Sequence, residues 1–516
     1  MLAALPHIGR AIAIARTLAR HDALFFLDRL PYGRALTPFA RLATLRRRPA
    51  DAAKRPGQRL VDALYDLGPS FIKLGQALSV RPDVVGEEMA ADLSALQDRL
   101  PPFPGAEARN AIAAELGKPV GELFATFEDT AIAAASIAQV HEAVTADGRE
   151  VVVKVLRPGI EAAFARDLAF YEWAAGLAER ARPELRRLKP VETVRTFARA
   201  VDLEMDLRFE AAAGEELAQN FADDPTFRTP AMDWLRTGRR VLTMERVAGI
   251  PIDERGRLIE AGHDPAVVVA TMARIFFLQV FRDGFFHADL HPGNLFVAAD
   301  GAIVAVDFGI MGRLDRDTRR YLAEMLVGFL DGDYRRVAEV HFRAGYVPAD
   351  QSVEEFAQAA RSIAEPILGL PLAEISFARL LAQLFRVTER FRMETQPHLL
   401  LLQKTMLVAE GVGRRLYPDA NMWQLARPLI EDWVTANLAP EARLGEAARD
   451  IAGALARLPR LVAEMEQTVG SLAQGGLRLH PDSVRALASA RAEARPRWPI
   501  WASLAVAAAL VAAVVL

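Results

Sequence analysis

Between His287 and Asn294 the chain reads His-Ala-Asp-Leu-His-Pro-Gly-Asn, and downstream comes Asp307-Phe308-Gly309. An Asp, an Asn five positions on, a β-hairpin and an Asp-Phe-Gly form a set suited to phosphoryl transfer from a magnesium nucleotide. Magnesium is a hard cation that takes carboxylate and amide oxygens. Asn294 and Asp307 supply such oxygens and are the candidate metal ligands. Asp289 can orient or deprotonate an acceptor hydroxyl or water. An ordinary hairpin with coincidental acids would not reproduce the whole spacing.

These groups need partners for the phosphates. Glu150-Val-Val-Val-Lys154-Val155 is a β-rich run whose alternation turns Lys154 away from the valine face. Lys154 is therefore the candidate for holding the α- and β-phosphates. Such a lysine needs a carboxylate. Glu204-Met-Asp206 and Glu210 are placed on one predicted helix, and either Glu204 or Glu210 could serve. Val241-Leu-Thr-Met-Glu245-Arg-Val247 has the character of a linker between lobes, with Glu245 and Val247 beside an adenine ring. A glycine-rich loop is missing before the lysine strand. Ala133-Ala134-Ala135-Ser136 stands there instead, and the Cβ atoms keep its backbone further from phosphates than glycine would. Helix already begins near Arg316, which leaves no room for a long activation segment, and Ala288 precedes Asp289. A peptide substrate is disfavoured on both grounds.

Positioning these residues takes two lobes. The chain has 516 residues, 52% hydrophobic and 25% charged, with a net charge of -3. Nothing in that balance points to nucleic acid. The absence of cysteine excludes disulfides, thiol nucleophiles and thiolate metal sites. Leu60, Leu64, Leu67, Phe71, Leu74 and Leu78 form an apolar helical stripe interrupted at Gly68-Pro69, with Lys73 and Gln76 on the opposite face. Asp147-Gly148 and Asp300-Gly301 mark hairpins. Helices are expected from Leu168 to Phe221 and from Val267 to Phe281, and almost continuously beyond Arg316. The fold class is α+β, a small β-containing lobe followed by a helical one.

The C-terminal run from Trp498 to Leu516 carries no charge. It is close to the ~20 residues that span a bilayer. Arg491, Arg495 and Arg497 precede it and place the bulk of the chain on the cytoplasmic side of the inner membrane. Arginines from Arg10 to Arg48 make the N-terminus basic, which suits a solvated helix face or anionic lipid.

Lys73-Leu-Gly75-Gln76, Ala133 to Ser136, Lys154, Glu204-Met-Asp206, Glu210, His287 to Asn294 and Asp307 to Gly309 together resemble the UbiB family of atypical kinase-like proteins, linked to ubiquinone biosynthesis. The resemblance runs from about residue 57 to 430. It implies a protein-kinase-like two-lobe fold in which the Lys-x-Gly-Gln helix covers the place where a peptide would dock. Lys73 and Gln76 would face the nucleotide pocket and meet Glu204 or Asp206. It implies ATP and Mg2+ as ligands and ATP hydrolysis in preference to protein phosphorylation. Its partners would be membrane lipid, polyprenyl phenol or quinone precursors and other quinone-biosynthesis proteins. The expected organisation is a basic segment over 1–56, the Lys-x-Gly-Gln extension over 57–118, an N-lobe with helical insertion over 119–247 and a C-lobe over 248–440. A helical linker over 441–497 and a transmembrane helix over 498–516 complete it. Relatives often look as if they carry two terminal membrane helices, whereas one clear span is legible here. No flavin, haem or iron signature supports an oxygenase.

Overall fold

The computed structural model describes residues 5–23, 54–79, 85–93, 96, 100–181, 190–366, 386–388, 390–393, 397–420, 425, 427–431 and 433–434. All of these lie in the compact unit Met1–Ala436. The expected linker over 441–497 and the apolar run over 498–516 lie outside the described residues, as does most of the basic segment after residue 23.

Helix α1 (Leu5–Arg20) precedes the N-terminal extension α2 (Pro56–Leu67), α3 (Pro69–Ser79) and α4 (Glu87–Leu93). The interruption expected at Gly68-Pro69 separates α2 from α3, and proline suits the first position of the new helix. Leu60, Leu64, Leu67, Phe71, Leu74 and Leu78 gather into one apolar cluster with Leu18, Leu93 and Tyr171. Gly75 sits where a Cβ would run into Leu64 and Leu96, so the small residue of the Lys-x-Gly-Gln segment permits close packing of this bundle. Arg10 reaches Asp167 at 2.8 Å and pins α1 to the insertion helices.

The N-lobe starts with α5 (Gly105–Leu116), β1 (Phe124–Phe127), β2 (Ala133–Ala134), β3 (Ala138–Thr145) and β4 (Glu150–Leu156). Then come α6 (Ile160–Ala181), α7 (Pro190–Glu204), α8 (Leu207–Asn220), β5 (Phe227–Arg228) and β6 (Val241–Glu245). The sheet runs β1-β3-β4-β6 with β2 on β3. The β3–β4 hairpin turns at Asp147-Gly148 with Val144 opposite Glu150. Val151, Val153 and Val155 face Ile112 of α5, Phe124 and Phe127. Each buried valine contributes about 1.5–3 kcal/mol relative to exposure. The opposite face, with Val152 and Leu242, packs on Leu207 and Ala211 of α8. Lys154 shares that second face, so the pleat aims it at α8.

Contrary to the single helix expected from the sequence, Glu204, Asp206 and Glu210 do not share a helix: α7 ends at Glu204 and α8 begins at Leu207. Asp206 between them has an extended backbone, and its carboxylate accepts the Arg208 N–H as an N-cap. An aspartate side chain that caps the next helix competes with continuing the previous one.

The C-lobe continues with β7 (Ile250–Pro251), α9 (Arg255–Glu260), α10 (Pro265–Phe277), β8 (Phe285–His287), β9 (Leu295–Val297), β10 (Ile303–Ala305) and β11 (Met311–Arg313). Among the described residues α11 (Arg316–Leu330), α12 (Tyr334–Arg343), α13 (Val353–Ala364) and α14 (Pro397–Leu416) follow. A sheet of order β5-β10-β9-β7 and a β8–β11 pair carry the Asp289 and Asp307 loops. α11 starts three residues after β11, so the short connection expected after Asp-Phe-Gly is present. α10 and the wider turn Leu278–Asp283 form the one described stretch long and apolar enough to cross a membrane. Its Val268, Val269, Met272, Phe276 and Phe281 are buried in the C-lobe core, so it serves there as a core helix.

Candidate active site

Lys154 lies between two carboxylates. Its Nζ donates to Glu210 Oε1 at 2.7 Å and Oε2 at 3.0 Å, and to Asp307 Oδ1 at 3.0 Å. Of the two candidates it is Glu210 that pairs with Lys154. Glu210 belongs to a buried stripe of α8 with Leu207, Ala211, Gly214 and Leu217, an acid on an otherwise apolar face. One turn further along, a Cβ on Gly214 would lie 2.8 Å from Phe308 Cδ2, so this glycine lets the Asp-Phe-Gly phenyl ring seat against α8. Phe308 is fully buried, which fixes Asp307 relative to Lys154.

The electrostatics follow from one ammonium between two acids. Burial alone would depress Lys154, but Asp307 and Glu210 outweigh it and raise its pKa above the ordinary value. Lys154 in turn holds Asp307 well below the usual carboxylate range. Burial pushes Glu210 up to about 7, against the attraction of Lys154 and with repulsion from Asp307. The cluster therefore keeps Lys154 and Asp307 charged, and Glu210 is the group that takes up a proton first. Asp307 also has φ +62, a left-handed conformation that costs a non-glycine residue energy and is held here by its surroundings.

The Asp289 loop is built on β8. His287 is fully buried; its Nδ1 accepts the Asp289 N–H at 3.2 Å and its Nε2 faces Val306 O at 3.2 Å. Accepting at Nδ1 and donating at Nε2 requires the neutral ring, and burial lowers its pKa accordingly. His287 thus ties the Asp289 loop to the residue before Asp307. Asn294 Nδ2 donates to Asp289 O at 3.0 Å and Oδ2 at 3.3 Å. With its nitrogen so engaged, the Asn294 oxygen is the atom left for a cation. The Asp307 side chain is half exposed. One amide and one carboxylate oxygen fit magnesium, which keeps few protein ligands and completes its shell with phosphates and water. Among the described residues no group of three or more His, Asp or Glu could hold a metal ion.

The remaining expected residues separate into two sets. Lys73 is buried and reaches Glu204 Oε2 at 2.9 Å, and it adds to the depression of the Asp307 pKa. Gln76 donates to Leu96 O at 3.3 Å, and Asp206 turns to Arg208 at 2.6 Å. Ala133 faces Val140 on β3, and Val140 faces Lys154 on β4, so the alanine hairpin edges the same row of the sheet. Ala135 O accepts Arg157 Nε at 3.0 Å, and Ser136 is fully buried with its hydroxyl unpartnered. Ser136 is thus turned inward. Glu245 ends β6 and donates its N–H to Ala231 O at 2.9 Å, leaving Val247 to follow in the linker.

Sequence reasoning missed Lys404. Its Nζ lies 3.3 Å from Asp289 Oδ1, although 115 positions separate them. Lys404 is the one charged residue in the leucine-rich stretch Leu399–Val408, between Gln403 and Thr405, and that was the available signal.

Comparison with known proteins agrees with this architecture. Residues 95–341 match the ABC1 atypical kinase-like domain, and residues 360–421 match the UbiB helical domain. A relative from Marinobacter nauticus, named "Probable protein kinase UbiB", is 48% identical over 388 residues, covering 74% of this chain and 71% of the relative. One of the same name from Azotobacter vinelandii is 43% identical over 469 residues, covering 89% and 86%. Among solved structures, Rv3197 of Mycobacterium tuberculosis in complex with erythromycin is 26% identical with a TM-score of 0.51, covering 69% of this chain and 90% of that one. By sequence over most of its length and by its kinase-like architecture, this chain belongs to the UbiB family of atypical kinase-like proteins.

Proposed function

We propose that the chain binds Mg-ATP and hydrolyses it in support of ubiquinone synthesis at the membrane. The observation that carries this reading is Lys154 held between Glu210 and Asp307, with Asp289 and Asn294 on the adjoining loop. In this reading Lys154 contacts the α- and β-phosphates, and Asn294 and Asp307 hold the magnesium. The ion would neutralise phosphate charge. Val247 and the backbone of Glu245 border the adenine, and Ala133 to Ser136 roof the phosphates. Asp289 orients a water against the terminal phosphorus. The new P–O bond forms from that water, the bond to the bridging oxygen breaks, and the electron pair leaves on ADP. The water proton passes through Asp289 to solvent.

Lys73 and Glu204 close the side where a larger acceptor would approach, which favours water or a small phenol over a peptide. The apolar run 498–516 would anchor the chain in the inner membrane with the catalytic unit in the cytoplasm, beside polyprenyl phenol precursors and other quinone-biosynthesis proteins. A second reading is a nucleotide-driven scaffold or lipid extractor, in which binding changes shape without essential turnover. The hairpin closed by Arg157 on Ala135 O favours it. Turnover by the purified chain, with and without liposomes carrying a phenolic quinone precursor, separates the two.

A further inference from the structure

Asp289 presents a charge problem to any nucleotide. A carboxylate beside a terminal phosphate repels it unless a cation offsets the pair. The loop itself offers none. His287 is neutral, buried between Val306 and the Asp289 amide. His291 turns its Nδ1 back to accept the Gly293 N–H at 3.1 Å. Lys154, bonded to Glu210 and Asp307, serves the α- and β-phosphates in the reading above, and Lys73 meets Glu204.

Lys404 fills that role from outside the loop. It meets Asp289 Oδ1 at 3.3 Å while Asn294 meets Oδ2 at the same distance, so each carboxylate oxygen has its own donor. The side chains of Lys404 and Asp289 are each about one-third exposed, which leaves both accessible to a ligand. The lysine is also firmly carried. Leu402, Ala409, Val412 and Leu416 of α14 are buried in the C-lobe core, and Arg255 Nε holds Leu416 O at 2.9 Å. Lys404 lies in the part that matches the UbiB helical domain, beyond the kinase-like match that ends at residue 341.

Resting on the Mg-ATP reading above, we propose that Lys404 is a catalytic residue that binds the terminal phosphate of the nucleotide while orienting Asp289. The helical domain thereby contributes a group to the reacting centre. An ordinary exposed ion pair would do neither and would contribute at most about 1 kcal/mol.

The experiment uses the full-length chain in lipid nanodiscs with Mg2+. Affinities for a non-hydrolysable ATP analogue and for ADP are measured for wild type, Lys404→Met and Lys404→Arg. A charge-assisted contact to the terminal phosphate predicts that Lys404→Met weakens the triphosphate by about tenfold to a hundredfold and leaves ADP within about twofold. Lys404→Arg should restore most of the difference, and all three proteins should keep the same thermal midpoint. If Lys404→Met alters both nucleotides equally, or neither, in a wild-type background that binds both, the proposal is wrong and the Mg-ATP reading stands. Wild-type protein that binds neither nucleotide overturns that reading and this proposal with it.

Discussion

Lys73 Nζ and Glu204 Oε2 meet at 2.9 Å, joining the N-terminal extension to the last turn of α7. Both side chains are largely withdrawn from water, so removing one takes away the other's nearest counter-charge. Glu204→Ala is expected to cost about 3 kcal/mol in urea unfolding. Adding Lys73→Met should recover more than half of that loss. Strictly additive costs in the double variant would contradict a coupled pair.

Glu210 predicts a pH dependence. Its folded pKa is raised to about 7 from an ordinary 4.5, chiefly by burial. Between those values the folded chain keeps a proton that the unfolded chain has lost. The stability contributed by protonation is therefore fully present below 4.5 and is lost as pH rises through about 7. In metal- and nucleotide-free buffer, Glu210→Gln should remove this part of the slope, at most about 1.4 kcal/mol per pH unit. The same slope in wild type and variant would show that Glu210 is not the titrating group.

Gly214→Ala sets two effects against each other. Alanine favours the helix by about 1 kcal/mol. The new Cβ would press on Phe308, fully buried and without room to retreat, and on the more pliable Met232. Overpacking costs about 1–3 kcal/mol, so the net expectation is destabilisation of about 1 kcal/mol. A lower thermal midpoint checks this; a raised midpoint would mean that Phe308 does not bear on α8.

Much of the architecture was legible because its signals are local. The Asp-Gly turns fixed both hairpins, and the alternation of Val151, Val153 and Val155 turned Lys154 towards α8. The choice between Glu204 and Glu210 was not legible, because it depends on a helix break created by the Asp206 cap. The bond from Gln76 to the main-chain carbonyl of Leu96 could not be read from its polar face, since a backbone acceptor leaves no mark in side-chain types. Lys404 stands out only as a charge within a leucine-rich helix, and its role depends on a tertiary contact between α14 and the Asp289 loop that no local pattern reveals.

The proposed magnesium nucleotide held by Lys154, Asn294 and Asp307 is tested by Mg-ATP turnover of the purified chain on liposomes carrying a phenolic quinone precursor, beside Asp307→Asn. A neutral amide coordinates the ion more weakly and gives Lys154 no counter-charge. Turnover should rise with membrane and phenol and fall at least about a hundredfold in the variant. Equal turnover and equal magnesium dependence in both proteins would contradict it.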